Sequence, residues 1–125
     1  MRRVRLLAAL GVLFACVDTG PTAGVLQVSL TTPNSGADGA ILITISGPAA
    51  LTSASPPAGL RLFSEPPLAT ANRFVLTGTL VTGTILTIGV ADVGQVRSYT
   101  ATVVQVAAAT YLLRPLGGYT LRVLP

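Results

Sequence analysis

The 125-residue chain contains no histidine, no lysine and no tryptophan, and its only cysteine is Cys16. Without histidine, the Ser-His-Asp and Cys-His arrangements that activate a nucleophile are excluded. Without lysine, Ser-Lys dyads, Schiff-base chemistry and the phosphate-binding loop G-x-x-x-x-G-K-[ST] are excluded as well. One cysteine alone does not supply the ligands of a zinc site. The sequence therefore predicts a protein that is not an enzyme and that has no metal or other cofactor.

Acidic residues are also few, which limits carboxylate chemistry. The four acids are Asp18, Asp38, Glu65 and Asp92. A glycosidase needs two carboxylates that face one bond, so folding would have to bring Asp38 and Asp92 together. Both lie in turn sequences, GADG and VADVG, where an Asp side chain caps the backbone. We interpret them as turn residues, and the weaker alternatives are a hydrolase with a carboxylate site and a calcium site from Asp38 and Asn34.

Positive charge is concentrated at the start of the chain. Three of the eight arginines lie within the first five residues, and the chain beyond Cys16 has five arginines against four acids. Those five are scattered in sequence: Arg61, Arg73, Arg97, Arg114 and Arg122. Proteins that bind nucleic acid normally cluster Lys and Arg on one face. The sequence therefore predicts no nucleic-acid partner.

Residues 1–15, MRRVRLLAALGVLFA, have the layout of a secretory signal peptide, with arginines first and an apolar run after them. The apolar run, residues 6–15, is too short for a transmembrane helix, which needs about twenty residues. Later apolar runs are interrupted by polar residues, Gly or Pro. We therefore expect export through a signal helix rather than a membrane-spanning segment.

The signal peptide ends in the sequence LFAC, which resembles the lipobox of bacterial lipoproteins. Leu13 and Ala15 match that pattern, and Phe14 stands where the family usually has a small or branched residue. The resemblance implies that Cys16 receives a lipid and becomes the new N-terminus. A physical argument also favours lipidation of Cys16. A single thiol in an oxidising compartment has no partner for a disulfide, and lipidation gives it a role.

Lipidation would place the protein in the cell envelope. Residues 16–23 would then consist of the lipidated Cys16 followed by a tether that is rich in helix-breaking residues. In the lipoproteins that this sequence resembles, Asp directly after the cysteine favours retention at the inner membrane. Val17 occupies that position, so the outer membrane is favoured over the outer face of the inner membrane. Ordinary secretion is the alternative.

From residue 24 onward, apolar and polar residues alternate in short segments separated by turn sequences, which is typical of β-strands. Strands are predicted at residues 25–31, 40–46, 59–64 and 96–106, the last with a bulge near Val103 and Val104. Residues 73–94 predict a β-hairpin around the turn Val81-Thr82-Gly83, and TYLLRP and YTLRVLP predict a final hairpin. One helical turn fits residues 49–53.

Seven or eight short strands predict an all-β fold, namely a single antiparallel β-sandwich over residues 24–125 after the signal helix. A small barrel is the alternative. The length and spacing of the predicted strands, most clearly in GTLVTGTILTIGVADV, loosely resemble those of cohesin-like and other Ig-like bacterial surface modules. That resemblance implies an architecture and transfers no binding site.

These observations favour a non-enzymatic, lipid-anchored module of the bacterial envelope that has a structural role or binds an envelope protein, with the membrane as a second partner through Cys16. The competing interpretation is a small module that binds a glycan or another ligand through tyrosines. The candidate binding surface consists of Arg97, Tyr99 and Tyr119. Residues 97 and 99 are two positions apart in a predicted strand, so their side chains point to the same face. The opposite interpretation places the tyrosine rings in the core or at its rim.

Overall fold

The structure, a computed structural model, describes residues 20–125 and confirms the predicted all-β sandwich. The predicted signal peptide, Cys16 and most of the predicted tether lie outside the described residues. The strands are β1 (Gly24–Thr31), β2 (Asp38–Ser46), β3 (Ser53–Ser55), β4 (Arg61–Ser64), β5 (Ala71–Leu80), β6 (Gly83–Val90), β7 (Thr100–Ala108) and β8 (Thr120–Leu124). A 3₁₀ helix, Val93–Ser98, connects β6 to β7. None of the helical segments within residues 20–125 has the length and apolarity that a bilayer crossing requires.

Two antiparallel four-stranded sheets form the sandwich. The first has the order β3-β6-β1-β8 and the second has the order β4-β5-β2-β7. Their inward faces meet in one core, to which every long strand contributes alternate side chains. The apolar residues that alternate along the predicted strands at 25–31 and 40–46 face the core, since all six are buried: Leu26, Val28, Leu30, Ile41, Ile43 and Ile45.

The strands of both sheets begin and end at two opposite ends of the sandwich. The end that we call the Gly24 end contains the pairs Gly24–Val90, Ser46–Ala71 and Ser46–Thr100. The Asp38 end contains the pairs Thr31–Thr120, Asp38–Leu80 and Asp38–Ala108. The chain enters at the Gly24 end, where the Thr22 carbonyl accepts a hydrogen bond from the Val93 N–H at 2.8 Å.

The predicted hairpin at residues 73–94 is wrong in its pairing. Both strands exist, but β5 belongs to the second sheet and β6 to the first. The short connection at Val81 and Thr82 crosses from one sheet to the other, so the apolar faces of β5 and β6 point into the core from opposite sides. Instead, β5 pairs with β2 and β4, and β6 pairs with β1 and β3.

The predicted final hairpin is also wrong. Residues 110–115 form no strand, and one isolated bridge joins Leu113 to Ala107 of β7. The partner of β8 is β1. The segment assigned to a helical turn leads instead into β3, which pairs with the end of β6 through Ser53 and Gly89.

The bulge predicted in β7 is confirmed. Ile43 of β2 pairs with Val103, whereas the preceding Leu42 pairs with Gln105, so Val104 has no partner opposite it. The extra residue changes the alternation of buried and exposed side chains along β7. As a result, Val103 and Val106 both face the core although they are three positions apart, a spacing that places residues of a regular strand on opposite faces.

Gly78→Ala tests a tight approach between β5 and the loop before β4. Gly78 has φ +130, and a Cβ there would lie 2.6 Å from the carbonyl oxygen of Gly59. The backbone strain and the clash together are expected to lower the free energy of unfolding by about 2 kcal/mol, measured by chemical denaturation. Gly117→Ala is the matched control, because a Cβ at Gly117 meets nothing within 4 Å. Equal stability of the two variants would contradict the prediction.

Candidate interaction surface

A buried carboxylate organises the Asp38 end. Asp38 is 1% exposed, and its carboxylate accepts a hydrogen bond from the Thr32 hydroxyl at 2.7 Å. The Tyr119 hydroxyl lies 3.0 Å from both carboxylate oxygens, and Arg114 Nε donates to Oδ1 at 3.0 Å. Asn34 completes the network, since its side-chain amide donates to the Tyr119 hydroxyl at 2.9 Å. We call these five residues the Asp38 network.

The Asp38 network corrects the interpretation of Asp38 as a turn cap. Its carboxylate binds side chains from two separate parts of the chain, Thr32 and residues 114–119, whereas Asp92 does cap the backbone, accepting hydrogen bonds from the N–H groups of Thr22 and Gly94. Among residues 20–125, every buried polar side-chain atom has a hydrogen-bond partner. A fully satisfied polar network of this kind fixes the positions of its members.

Arg114 and Tyr119 belong to the connection between β7 and β8, residues 109–119, which we call the β7–β8 loop. Two backbone hydrogen bonds hold the loop against the edge of β7, from Ala108 N–H to the Leu112 carbonyl and from Arg114 N–H to the Val106 carbonyl, both at 2.8 Å. Together with the Arg114–Asp38 ion pair, they make this long connection an ordered part of the Asp38 end.

The β7–β8 loop exposes large apolar side chains. Tyr111 is 92% exposed, Leu112 is 70% exposed and Leu113 is 68% exposed. Leu116 is also exposed. These four lie within six consecutive residues, so they form a cluster rather than scattered single exposures. Clustered apolar exposure on a folded domain is typical of an interaction site.

Tyr111 also has an unfavourable backbone conformation. It is the only non-glycine residue among residues 20–125 with positive φ, at 70°. In this region an L residue other than Gly or Asn costs roughly 1–2 kcal/mol. Because the ring is almost fully exposed, it contributes little packing that would offset this cost. Folding therefore does not explain why tyrosine occupies this position, and strained residues of this kind concentrate at functional sites.

A second apolar feature lies on the outer face of the second sheet. The β-sheet register aligns Phe63 of β4, Val75 of β5 and Leu42 of β2 in one row. Beside Leu42 the register places Gln105 of β7, and beyond it Leu113 lines the same shallow hollow of about 200 Å³ as Leu42, Val75 and Gln105. We call Phe63, Val75, Leu42 and Leu113 the apolar row. The outer face of the first sheet is more polar, with Gln27, Ser29, Thr84, Thr87 and Arg122 facing outward and Val25 as its exposed apolar side chain.

The predicted surface of Arg97, Tyr99 and Tyr119 does not form one patch. Arg97 is exposed in the 3₁₀ helix, but the Tyr99 ring is buried against the backbone of Gly47 at the Gly24 end. Tyr119 is buried at the opposite end in the Asp38 network. The interpretation of these tyrosines as core or rim residues describes Tyr99 and Tyr119, whereas Tyr111 is the exposed ring.

The carboxylates of the described residues are spread over the domain. The oxygens of Asp38 face Thr32, Tyr119 and Arg114. Glu65 lines an open hollow of about 600 Å³ near the Gly24 end, together with Ser46 and Arg73. Residues 20–125 contain no cluster of three His, Cys, Asp or Glu side chains of the kind that holds a metal ion. Asn34, the other predicted calcium ligand, is engaged with Tyr119.

Comparisons with protein families, with curated proteins and with solved structures give no match to this chain.

Proposed function

We propose that this chain is a non-enzymatic, lipid-anchored module of the bacterial cell envelope whose β7–β8 loop binds another envelope protein. The exposed cluster of Tyr111, Leu112 and Leu116, held in place by the Asp38 network, is the observation that carries the proposal. The strained backbone of Tyr111 supports it, because the exposed ring has no role in the fold.

The position of the loop supports a partner that is presented away from the anchoring membrane. The proposed anchor at Cys16 precedes the Gly24 end, whereas the β7–β8 loop lies at the Asp38 end. The eight residues of β1 span roughly 25 Å between the two ends. A tether attached at the Gly24 end therefore leaves the apolar cluster free to meet a protein above the membrane surface.

No observation favours the two alternative functions. A glycan-binding module requires at least two tyrosine rings exposed on one face, and Tyr111 is the single exposed tyrosine of residues 20–125. A hydrolase requires two carboxylates facing one bond, and Asp38 is enclosed by hydrogen-bond donors at the end of the sandwich opposite Asp92.

Photo-crosslinking in the producing bacterium, combined with Tyr111→Asn, tests the proposal. A photoreactive amino acid at Leu112 is expected to crosslink one protein other than the chain itself. Tyr111→Asn is expected to reduce that crosslink at least several-fold, because the ring that contacts the partner is lost. The same substitution is expected to raise the free energy of unfolding by about 0.5–1 kcal/mol, since Asn tolerates positive φ better than Tyr.

The control position is Gln95, which is exposed in the 3₁₀ helix next to the Gly24 end. Crosslinking to the same protein from both positions would indicate crowding at the membrane rather than binding by the loop. A Tyr111→Asn variant that crosslinks as well as the unmodified chain would exclude Tyr111 as a contact residue.

A further inference from the structure

We infer that the outer face of the second sheet is a dimer interface, and that its occupant is a second copy of this chain. The inference does not depend on the proposed function, because it concerns the apolar row on the sheet face and not the tip of the β7–β8 loop. Antiparallel sheets with a solvated outer face carry polar side chains there, as the first sheet does. The apolar row departs from that pattern and is expected to be covered.

The apolar row is complementary to itself in shape. At one side of the face, Phe63 of β4 projects and is 54% exposed. At the other side, the hollow of about 200 Å³ is lined by Leu42, Val75 and Leu113. An apolar cavity of about 150 Å³ already holds benzene, so a phenyl ring fits this hollow.

A two-fold axis places each Phe63 in the hollow of the other copy. Neighbouring strands lie about 4.8 Å apart, so Phe63 is roughly 10 Å from Leu42 across the face. When the axis runs along the strands between β5 and β2, Phe63 of one copy faces the hollow beside Leu42 of the other. The same contact is then made twice, which is how an isologous interface is built.

The area of the face is adequate for a specific dimer. Four strands of the second sheet give a width of roughly 19 Å, and the ten residues of β5 give a length of roughly 30 Å. Because β4 has only four residues, each copy contributes roughly 500 Å², and two copies together reach the ~1,000 Å² that a biological interface needs. A bilayer is a poorer occupant, because Arg73 projects from the same face beside Phe63 and Val75.

Sedimentation of the full chain carrying Cys16→Ser tests the dimer without interference from a lipid anchor. We expect a dimer at micromolar concentration, and we expect Phe63→Ser to raise its dissociation constant at least tenfold. Val25→Ser is the matched control, because Val25 is similarly exposed, at 58%, but lies on the first sheet. Far-ultraviolet circular dichroism checks that both variants remain folded.

Crosslinking gives an independent measurement, because the Cys16→Ser chain has no other thiol. Val75→Cys in that chain is expected to form a covalent dimer with a bismaleimide whose spacer is about 8 Å, since packed sheet faces lie about 10 Å apart. Gln27→Cys, on the first sheet, is expected to give no dimer. A monomeric chain, a Phe63→Ser variant that dimerises normally, or a monomer that sediments with phosphatidylglycerol vesicles would each overturn the inference. None of these results would affect a Leu112 crosslink to a different protein.

Discussion

Replacing Asp38 with alanine is expected to lower the free energy of unfolding by about 3–5 kcal/mol. The substitution removes the carboxylate that pairs with Arg114 and accepts hydrogen bonds from Thr32 and Tyr119. The Thr32 and Tyr119 hydroxyls lose their acceptor in a site that is nearly closed to water, so each is left with a desolvation cost. The Arg114 guanidinium, whose side chain is 28% exposed, loses its ion pair but keeps part of its hydration. Small domains are stable by about 5–15 kcal/mol, so this loss is a large fraction of the total. Urea denaturation measures it.

Two further variants make the prediction specific. Glu65→Ala removes an exposed carboxylate with no hydrogen bond among residues 20–125 and is expected to change stability by less than about 0.5 kcal/mol. The double variant Asp38→Leu with Arg114→Met removes both charges, and it is expected to be more stable than Asp38→Ala. If Asp38→Ala unfolds at the same urea concentration as Glu65→Ala, the Asp38 network does not hold this end of the domain together.

Strand positions and inward faces could be predicted because they depend on local alternation. Leu26, Val28 and Leu30 recur every second residue, so one face of β1 is apolar whichever strand pairs with it. The bulge at Val104 was predictable for the same reason, since the apolar phase changes within β7. In both cases the signal is contained in a few consecutive residues.

Strand pairing could not be predicted in the same way. Two alternating segments joined by Val81-Thr82-Gly83 satisfy either a hairpin or a crossing between two sheets, because each arrangement buries one apolar face of each strand. The choice is decided by distant partners, β2 and β4 for β5, and β1 and β3 for β6. Periodicity carries no information about those partners, and so the hairpin prediction failed.

The candidate site was predictable only in part. Asp38 lies 81 residues from Tyr119 and 76 from Arg114, so no spacing in the sequence joins the Asp38 network. The β7–β8 loop did leave a local signal, since Tyr111, Leu112 and Leu113 are consecutive apolar residues without alternation. Pro115 and two glycines follow them, and such residues interrupt strands. Three apolar residues in a breaker-rich segment indicate an exposed apolar loop better than they indicate a hairpin.

Replacing Cys16 with serine is expected to move the protein from the membrane fraction to the soluble fraction almost completely. Each buried methylene of an acyl chain contributes about 0.8 kcal/mol, so two or more chains anchor a protein stably and their loss removes the anchor. Fractionation of the bacterium that produces the protein, followed by a high-salt wash, measures the change.

Thr19→Ser is the matched control for Cys16→Ser, because it changes a hydroxyl residue within the proposed tether and leaves the LFAC sequence intact. Mass spectrometry of the N-terminal peptide is expected to show an acylated Cys16 in that control. Retention of Cys16→Ser on the membrane at the level of the unmodified chain, with the signal peptide removed as judged from the mass of the protein, would refute the lipid anchor. The Leu112 crosslink is expected to weaken in the soluble variant, since an anchored module and an anchored partner share a high local concentration that a released module loses. A soluble variant that crosslinks at full strength would show that the loop binds its partner without help from the membrane.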